Sequence, residues 1–348
     1  MSSPQPTGDT NLQLLDCTRR LARMARDEDL GPGDVTTALM SDAGEAAFHL
    51  VAKQACVVAG CAVAQTVLDV YGDDLRIDWC DGVTDGVRID LPQQPIESPP
   101  QRTASRPHTL AVVRGPVTTV LSAERVLLNF LQRLCGVATL TRAYVDAVAG
   151  TAARIMDTRK TTPGWRALEK YAVRCGGGTN HRSGLYDAVM IKDNHLAPHA
   201  ANRIAAAVFE MLNRATVMPQ RDTTDGVAVA NVETRSTPPA DPTRCADPAP
   251  SVRPAFIEVE VDTPEQFAQM LDVVGVDIIL LDNFSVAQLA GAVKLRTTRG
   301  LTDRVKLEAS GGVNLDTVAA IARTGVDRIS VGAITHSAAA VDLSLERI

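Results

Sequence analysis

Aromatic side chains are scarce in this chain: two Trp, four Tyr and six Phe make up 3% of it. So few rings leave little on which to stack nucleobases. Positive charge is not in excess either. Lys and Arg number 35 against 41 Asp and Glu, and the net charge of −6 argues against a general nucleic-acid binder. No apolar run approaches the roughly 20 residues that span a bilayer, and no membrane association is expected. The first ten residues lack the charged-then-apolar layout of a signal peptide. Cysteine occurs seven times, an odd number with no Cys-x-x-Cys pair. Cys56 and Cys61 without a second pair are a weak case for metal, so reduced thiols in a cytoplasmic protein are expected.

What is present is an ordinary globular balance, 45% hydrophobic and 22% charged over 348 residues, enough for a sizeable core and two domains. Residues 1–10 read as disordered. Leu12, Leu15, Leu21 and Met24 suit an amphipathic helix over residues 11–25, closed by the Gly31-Pro32-Gly33-Asp34 turn. Residues 48–60 read as strand and turn, 62–71 as helix, 91–108 as a surface loop with five prolines, and 110–113 as a short strand. Together these make a small α/β domain over residues 1–121. Ser122 suits the N-cap of a long helix, with Glu124 at its positive end and Val126, Leu127, Phe130, Leu131 and Leu134 as its apolar stripe.

A repeating pattern follows. Apolar runs at 153–156, 188–191, 256–261, 277–281, 305–307 and 328–331 each finish in a polar or glycine-bearing turn, with helical segments such as 264–273 and 315–324 between them. Strands alternating with helices imply a parallel sheet. This many units without a dinucleotide-binding fingerprint favour a barrel over residues 122–336, whose post-strand loops would carry the chemistry. Residues 216–254 break the rhythm and read as a mobile insertion. Residues 337–348 are expected to pack back on the first domain.

Those loops hold the informative residues. Asp157-Thr158-Arg159-Lys160-Thr161-Thr162-Pro163-Gly164, Gly176-Gly177-Gly178-Thr179-Asn180-His181-Arg182 and Ile191-Lys192-Asp193-Asn194-His195 bring Arg159, Lys160, His181, Arg182, Lys192 and His195 to neighbouring turns. An isolated Arg-Lys pair is usually a solvated turn. Taken with Arg182 and Lys192, the pair reads as a receptor for several carboxylates or phosphates, Arg gripping through a bidentate fork and Lys as a point charge. The three glycines are either flexible linker or backbone N–H groups approaching an anion. His181 is either structural or a hydrogen-bond partner of substrate. Glu258 and Glu260 share parity, and Glu260, nearer the strand end, is the preferred site residue. With Asp282 it could act as a counterion, hold Mg²⁺ carried by a polyphosphate, or stabilise a positive sugar carbon. Ser310-Gly311-Gly312-Val313 and Ser330-Val331-Gly332-Ala333 suit a phosphate cradle at the last strands. His336 points back to that cradle or caps a surface turn.

These motifs, with Glu258-Val259-Glu260-Val261-Asp262, Leu280-Leu281-Asp282-Asn283-Phe284, Glu308 to Gly312 and Val331-Gly332-Ala333-Ile334-Thr335-His336-Ser337, resemble the quinolinate phosphoribosyltransferases over nearly the whole chain. Ser122-Ala123-Glu124-Arg125 and Gly31-Pro32-Gly33-Asp34-Val35-Thr36-Thr37 extend the resemblance to the first half. The resemblance implies an N-terminal α/β sandwich and an incomplete α/β barrel of seven strands. Six are legible, and a seventh is sought near residues 172–175. It also implies transfer of phosphoribose from 5-phosphoribosyl 1-diphosphate to quinolinate, giving nicotinate mononucleotide, CO₂ and pyrophosphate for NAD synthesis.

By the same resemblance, Arg125, Arg159, His181 and Arg182 grip the quinolinate carboxylates, with Thr158 beside them. Lys160 and Lys192 face the phosphates and pyrophosphate, and Glu260 and Asp282 hold ribose and Mg²⁺. Ser310, Gly311 and Gly312, with Val331, Gly332, Ala333 and His336, take the 5-phosphate. Lys160, Lys192, Glu260 and Asp282 form the implied catalytic set. A homodimer or hexamer is implied, Arg125 reaching the neighbouring site. The nearest rival is a paralogous phosphoribosyltransferase acting on another anionic heterocycle. A Schiff-base aldolase using Lys192 belongs to a different class, and the surrounding cations fit it no better. A non-catalytic sensor would need a degraded catalytic set, whereas this one is whole.

Overall fold

The computed structural model describes residues 8–40, 44–91, 108–198, 203–215 and 254–348. The expectations for residues 1–7, for most of the Pro-rich loop and for 216–253 lie outside the described residues. The first helix, α1 (Gly8–Leu30), is longer at both ends than its apolar stripe. Residues 8–10, expected to be disordered, form its opening turn, and its last turn is polar and so carries no apolar period. Then come β1 (Glu45–Ala52), β2 (Cys56–Val57), α2 (Cys61–Leu68), β3 (Arg76–Trp79), β4 (Arg88–Ile89) and β5 (His108–Pro116).

The long helix α3 (Val117–Ala147) leaves β5 directly at Pro116, so Ser122 is not its N-cap. The Ser122 hydroxyl instead donates to Asp34 Oδ2 at 2.8 Å, tying α3 to the turn after α1.

Along the rest of the chain lie β6 (Arg154–Met156), α4 (Arg166–Cys175), β7 (Val189–Ile191), α5 (Asp193–Leu196), α6 (Ile204–Ala215), β8 (Ile257–Val261) and α7 (Pro264–Met270). They are followed by β9 (Ile278–Asp282), α8 (Val286–Thr298), β10 (Lys306–Ser310), α9 (Leu315–Ala322), β11 (Arg328–Ser330), α10 (Ala333–His336) and β12 (Leu343–Arg347). The expected α/β architecture is present: a small antiparallel sheet, β12-β1-β5-β3, and a parallel sheet curved into a partial barrel, β6-β11-β10-β9-β8-β7. Helix starts are well specified. Thr263 caps α7 ahead of Pro264, Ser285 and Gln288 form a capping box on α8, and Asn314 caps α9.

Residues 172–175 are the end of α4, not a strand. The seventh barrel position is a single bridge between Met156 and Thr179, with Thr179 N–H donating to Ile155 O at 2.8 Å and Asp157 N–H to Thr179 O at 3.1 Å. The chain beyond α10 crosses α3 at Gly136, where a Cβ would lie 2.0 Å from Ala339 O, so only glycine admits the crossing. From there β12 pairs antiparallel with β1, Ala52 opposite Leu343.

Strand parity explains what faces inward. In β9, buried between helices and barrel interior, Ile278, Ile279, Leu280 and Leu281 are all buried, as parallel strands require. In β8 the alternation puts Ile257, Val259 and Val261 on one face and both Glu258 and Glu260 on the other.

Candidate active site

A cavity of about 420 Å³ opens at the carboxyl ends of the barrel strands. Among the residues proposed from sequence, Thr158, Arg159, Lys160, His181, Arg182, Lys192, Glu260, Asp282 and Ser310 line it. Asp157, Met190, Leu280 and Ser330 complete the wall. Val331 is buried, its N–H bonded to Met156 O at 3.0 Å. Gly332 sits under Lys160 and His336, for a Cβ there would lie 3.2 Å from Lys160 Cδ and 3.1 Å from His336 Nε2. Gly311 and Gly312 follow Ser310 with left-handed φ values of 90° and 61°, and Ala333 opens α10. Arg125 is elsewhere. It projects from the exposed side of α3 into a separate cavity of about 340 Å³ bordered by Met24, Glu28, Asp29 and Trp165.

The two arginines are short of anions. Arg182 is buried, and among the described residues its guanidinium hydrogen-bonds only to Ala188 O and Met190 Sδ, both at 3.3 Å. Burial, with Arg159 nearby, lowers its pKa. The Nε of Arg159 is buried without an acceptor. Neither is in salt-bridge range of a carboxylate among the described residues. Lys192 pairs with Glu260, and His195 Nδ1 accepts the Lys192 N–H at 2.8 Å, so His195 caps the start of α5.

Sequence reading missed what holds these groups. Asp157 is fully buried and receives Lys170 Nζ, Asn180 Nδ2 at 2.5 Å and the His181 N–H at 2.8 Å. That pins the second motif to the first. Burial raises the Asp157 pKa and lowers that of Lys170, each opposed by the other's charge. Glu169, also buried, accepts Thr162 Oγ1 at 2.8 Å and pairs with Arg133 at 2.6 Å; Arg133 also donates to Ala338 O at 2.7 Å and to Thr335 O. One ion pair thus clamps the turn after β6 to the carboxyl end of α10. Charged residues in helices read as solvated faces, so nothing in the sequence distinguished Arg133, Glu169 or Lys170.

Beneath the cavity lies a buried polar cluster. His181 Nδ1 accepts the Arg182 N–H at 2.8 Å, and its Nε2 is 2.9 Å from Glu258 Oε2 and 3.5 Å from Glu308 Oε1. Burial lowers the His181 pKa, which favours the neutral ring with its proton on Nε2. Nδ1 is thus occupied, whereas Nε2 faces Glu258 without a hydrogen bond. Among the described residues lining the cavity, Arg159, Lys160 and Arg182 have no carboxylate within salt-bridge distance. Glu308 also forms an ion pair with Arg328, whose Nε lies 2.7 Å from Oε2, and accepts the Ser330 hydroxyl. Burial pushes the carboxyls of Glu258 and Glu308 up to about 7.

A carboxyl with a raised folded-state pKa favours the native state in acid. Its contribution is full below the unfolded value and is lost as pH climbs through the folded one. Between pH 4.5 and 7, therefore, the fold should lose part of its stability. The depressed His181 acts with the opposite sign, so the useful quantity is a difference. Thermal midpoints of wild type minus Glu308→Gln should fall across that window, and a flat difference would show that Glu308 titrates as an ordinary carboxyl.

Among the described residues, two groups of side chains bring potential ligand atoms within 4.8 Å of one another. In the buried group of His181, Glu258 and Glu308, the Arg328 guanidinium already supplies the positive charge. The group at the cavity mouth, Glu260, Asp262 and Asp282, is all carboxylate oxygen, the donor set that suits a hard divalent cation. Burial, with Asp193 and Asp282 nearby, raises the Asp262 pKa. Asp262 was not singled out from sequence.

Comparison with known proteins agrees with this geometry. Residues 34–135 match the family model for the N-terminal domain of quinolinate phosphoribosyl transferase, and residues 137–237 and 243–346 match that for its C-terminal domain. The nicotinate-nucleotide pyrophosphorylase (carboxylating) of Mycobacterium leprae is 39% identical over 335 residues, covering 95% of this chain and 97% of that protein. Quinolinate phosphoribosyltransferase (decarboxylating) 1 of Nicotiana glauca is 35% identical, covering 93% and 80%. The structure of nicotinate-nucleotide pyrophosphorylase from Francisella tularensis aligns with a TM-score of 0.73 at 32% identity, over 96% of this chain and 97% of that one. Matched along both halves, with the cationic cavity at the strand ends, the chain belongs to the quinolinate phosphoribosyltransferase family.

Proposed function

We propose that the chain transfers the phosphoribosyl group of 5-phosphoribosyl 1-diphosphate to quinolinate, releasing pyrophosphate and CO₂ and forming nicotinate mononucleotide for NAD synthesis. The observation that carries this reading is the pair Arg159 and Arg182, cations at the cavity with no carboxylate within salt-bridge distance among the described residues, Glu258 and Asp187 acting on Arg182 only from further away. A dicarboxylate ring completes both. The two substrates together bring on the order of six or seven negative charges, which repel one another unless a dense cation set neutralises them.

Held by its carboxylates, the ring presents its nitrogen to the sugar C1, and proximity replaces a bimolecular encounter. The nitrogen lone pair forms the N–C1 bond as the C1–O bond to pyrophosphate breaks. Glu260 and Asp282 stabilise positive charge on the sugar carbon while Lys160 and Lys192 meet the departing pyrophosphate. The ring nitrogen, now positive, can hold the electrons left when the adjacent carboxylate departs as CO₂, and that carbon then takes up a proton. Glu260, Asp262 and Asp282 would hold Mg²⁺ brought with the diphosphate, which would neutralise leaving-group charge. Gly332, Ala333 and the Ser310-Gly311-Gly312 turn suit the 5-phosphate, with His336 beside them.

Arg125, exposed and remote from the cavity, suits a homodimer or hexamer in which it enters the neighbouring site. No helix among the described residues is long and apolar enough to cross a membrane, in keeping with a cytoplasmic enzyme.

The test is a product and CO₂-release assay with quinolinate, phosphoribosyl diphosphate and Mg²⁺ beside a nicotinate control. Stoichiometric nicotinate mononucleotide and CO₂ from quinolinate alone are expected. Turnover of nicotinate but not quinolinate would favour a paralogue acting on another anionic heterocycle.

A further inference from the structure

Among the described residues, Asn283 is the one non-glycine with a left-handed backbone, at φ 55°. It directly follows Asp282 at the mouth of β9. Asparagine tolerates this conformation better than most residues, yet such strain persists only where the surroundings fix it, and it gathers at functional sites. Three contacts fix it here. The side-chain amide donates through Nδ2 to Asp282 Oδ2 at 2.6 Å. The backbone N–H donates to Ser310 O at 2.9 Å, tying the end of β9 to the end of β10. The amide oxygen lies against Gly311, where a Cβ would fall 2.1 Å from Oδ1 and 2.8 Å from the Asn283 nitrogen. The amide is therefore a wedge between Asp282 and the glycine turn after β10.

Neither job is needed for the core, since Asn283 is exposed. Both serve the cavity. Asp282 stands among Glu260 and Asp262, with carboxylate oxygens within 4.8 Å. Mutual repulsion would turn an unrestrained carboxylate outward, and an amide N–H on Oδ2 opposes that. We propose that Asn283 is a positioning residue for the sugar-phosphate end of the site: its side-chain amide holds the Asp282 carboxylate toward the cavity and, by bearing on Gly311 beside the backbone tie to Ser310, sets the opening of the turn that receives phosphate. The inference rests on the reading above, in which Asp282 and this turn hold the phosphoribosyl donor.

Two substitutions separate strain from positioning. Asn283→Gly relieves the backbone and deletes the amide. Asn283→Asp keeps size and turn preference but replaces the N–H donor with a carboxylate facing Asp282. A merely structural role predicts a lower thermal midpoint for the glycine variant, with substrate constants unchanged. Positioning predicts the reverse: a midpoint equal to or above wild type, KM for phosphoribosyl diphosphate raised roughly tenfold or more, as for loss of one hydrogen bond to a charged group, and KM for quinolinate unchanged. Asn283→Asp should lose still more. Donor affinity, titrated calorimetrically with Mg²⁺ and no quinolinate, should fall in parallel. An unaltered donor KM and affinity in Asn283→Gly would overturn the inference. Asp282→Asn is the control. If it loses donor binding while Asn283→Gly does not, only this inference fails; if it binds and turns over normally, the underlying reading fails with it.

Discussion

Lys160→Ala is expected to fold normally and to lose about 10²- to 10³-fold in kcat/KM, the usual cost of deleting one preorganised group that meets charge developing in the transition state. The fold does not depend on this side chain. Lys160 is exposed, its methylenes rest on Gly332, and its backbone is held independently by Thr158 Oγ1 at 3.0 Å and Thr335 Oγ1 at 2.7 Å. Truncation thus leaves the turn after β6 in place while removing one of the cations meant for pyrophosphate. A surface change of this kind should move the thermal midpoint by no more than about 2 °C. Steady-state kinetics with both substrates varied, beside a melting curve, checks both halves. Near-normal kcat/KM would remove this lysine from the mechanism.

The largest effect on stability is expected from Asp157→Ala. The carboxylate is fully buried, Lys170 is 3% exposed, and the only other acceptor shown for the ammonium is His181 O at 3.0 Å. Removing one partner of such a pair strands the other charge, at a cost of about 3–5 kcal/mol. Here the His181 N–H also loses its acceptor. A lowered urea midpoint at unchanged slope is the signature. Because the carboxylate holds His181 and His181 Nδ1 in turn holds the Arg182 N–H, KM for quinolinate should rise in whatever fraction still folds. Asp157→Asn keeps an acceptor and should be milder. A loss under about 1 kcal/mol for the alanine variant would mean that Lys170 is accommodated neutral, the direction in which burial already drives it.

How far the sequence could be read follows from where each signal resides. The six barrel strands were legible because each is an apolar run ending in a polar turn, and most cavity cations sit in those turns. The edge strands were not. Arg76-Ile77-Asp78-Trp79 and Arg88-Ile89 are short and charged, and their identity as strands comes from β5 and β2, partners distant in sequence. Ser122 looked like a cap because local sequence weighs the residue type, whereas its hydroxyl is committed to Asp34. The supporting shell was the least visible part. Arg133, Glu169, Lys170, Asn283, Glu308 and Arg328 owe their roles to neighbours brought close only by folding, and a single charge on a helix or strand carries no mark of its future partner.

The pairing of β12 with β1 has a consequence for biosynthesis. On a ribosome, β1, β5 and β3 emerge early, yet one flank of β1 must wait for the final strand. At about 5–20 residues per second the wait is on the order of tens of seconds. The barrel shares the delay, because β6 finds its neighbour β11 only near the end. During that interval β1 presents an open row of backbone donors and acceptors, the template on which unwanted intermolecular strands add. Productive folding is thus timed by the emergence of β12, and nascent chains stalled upstream of it are the species most in need of a chaperone.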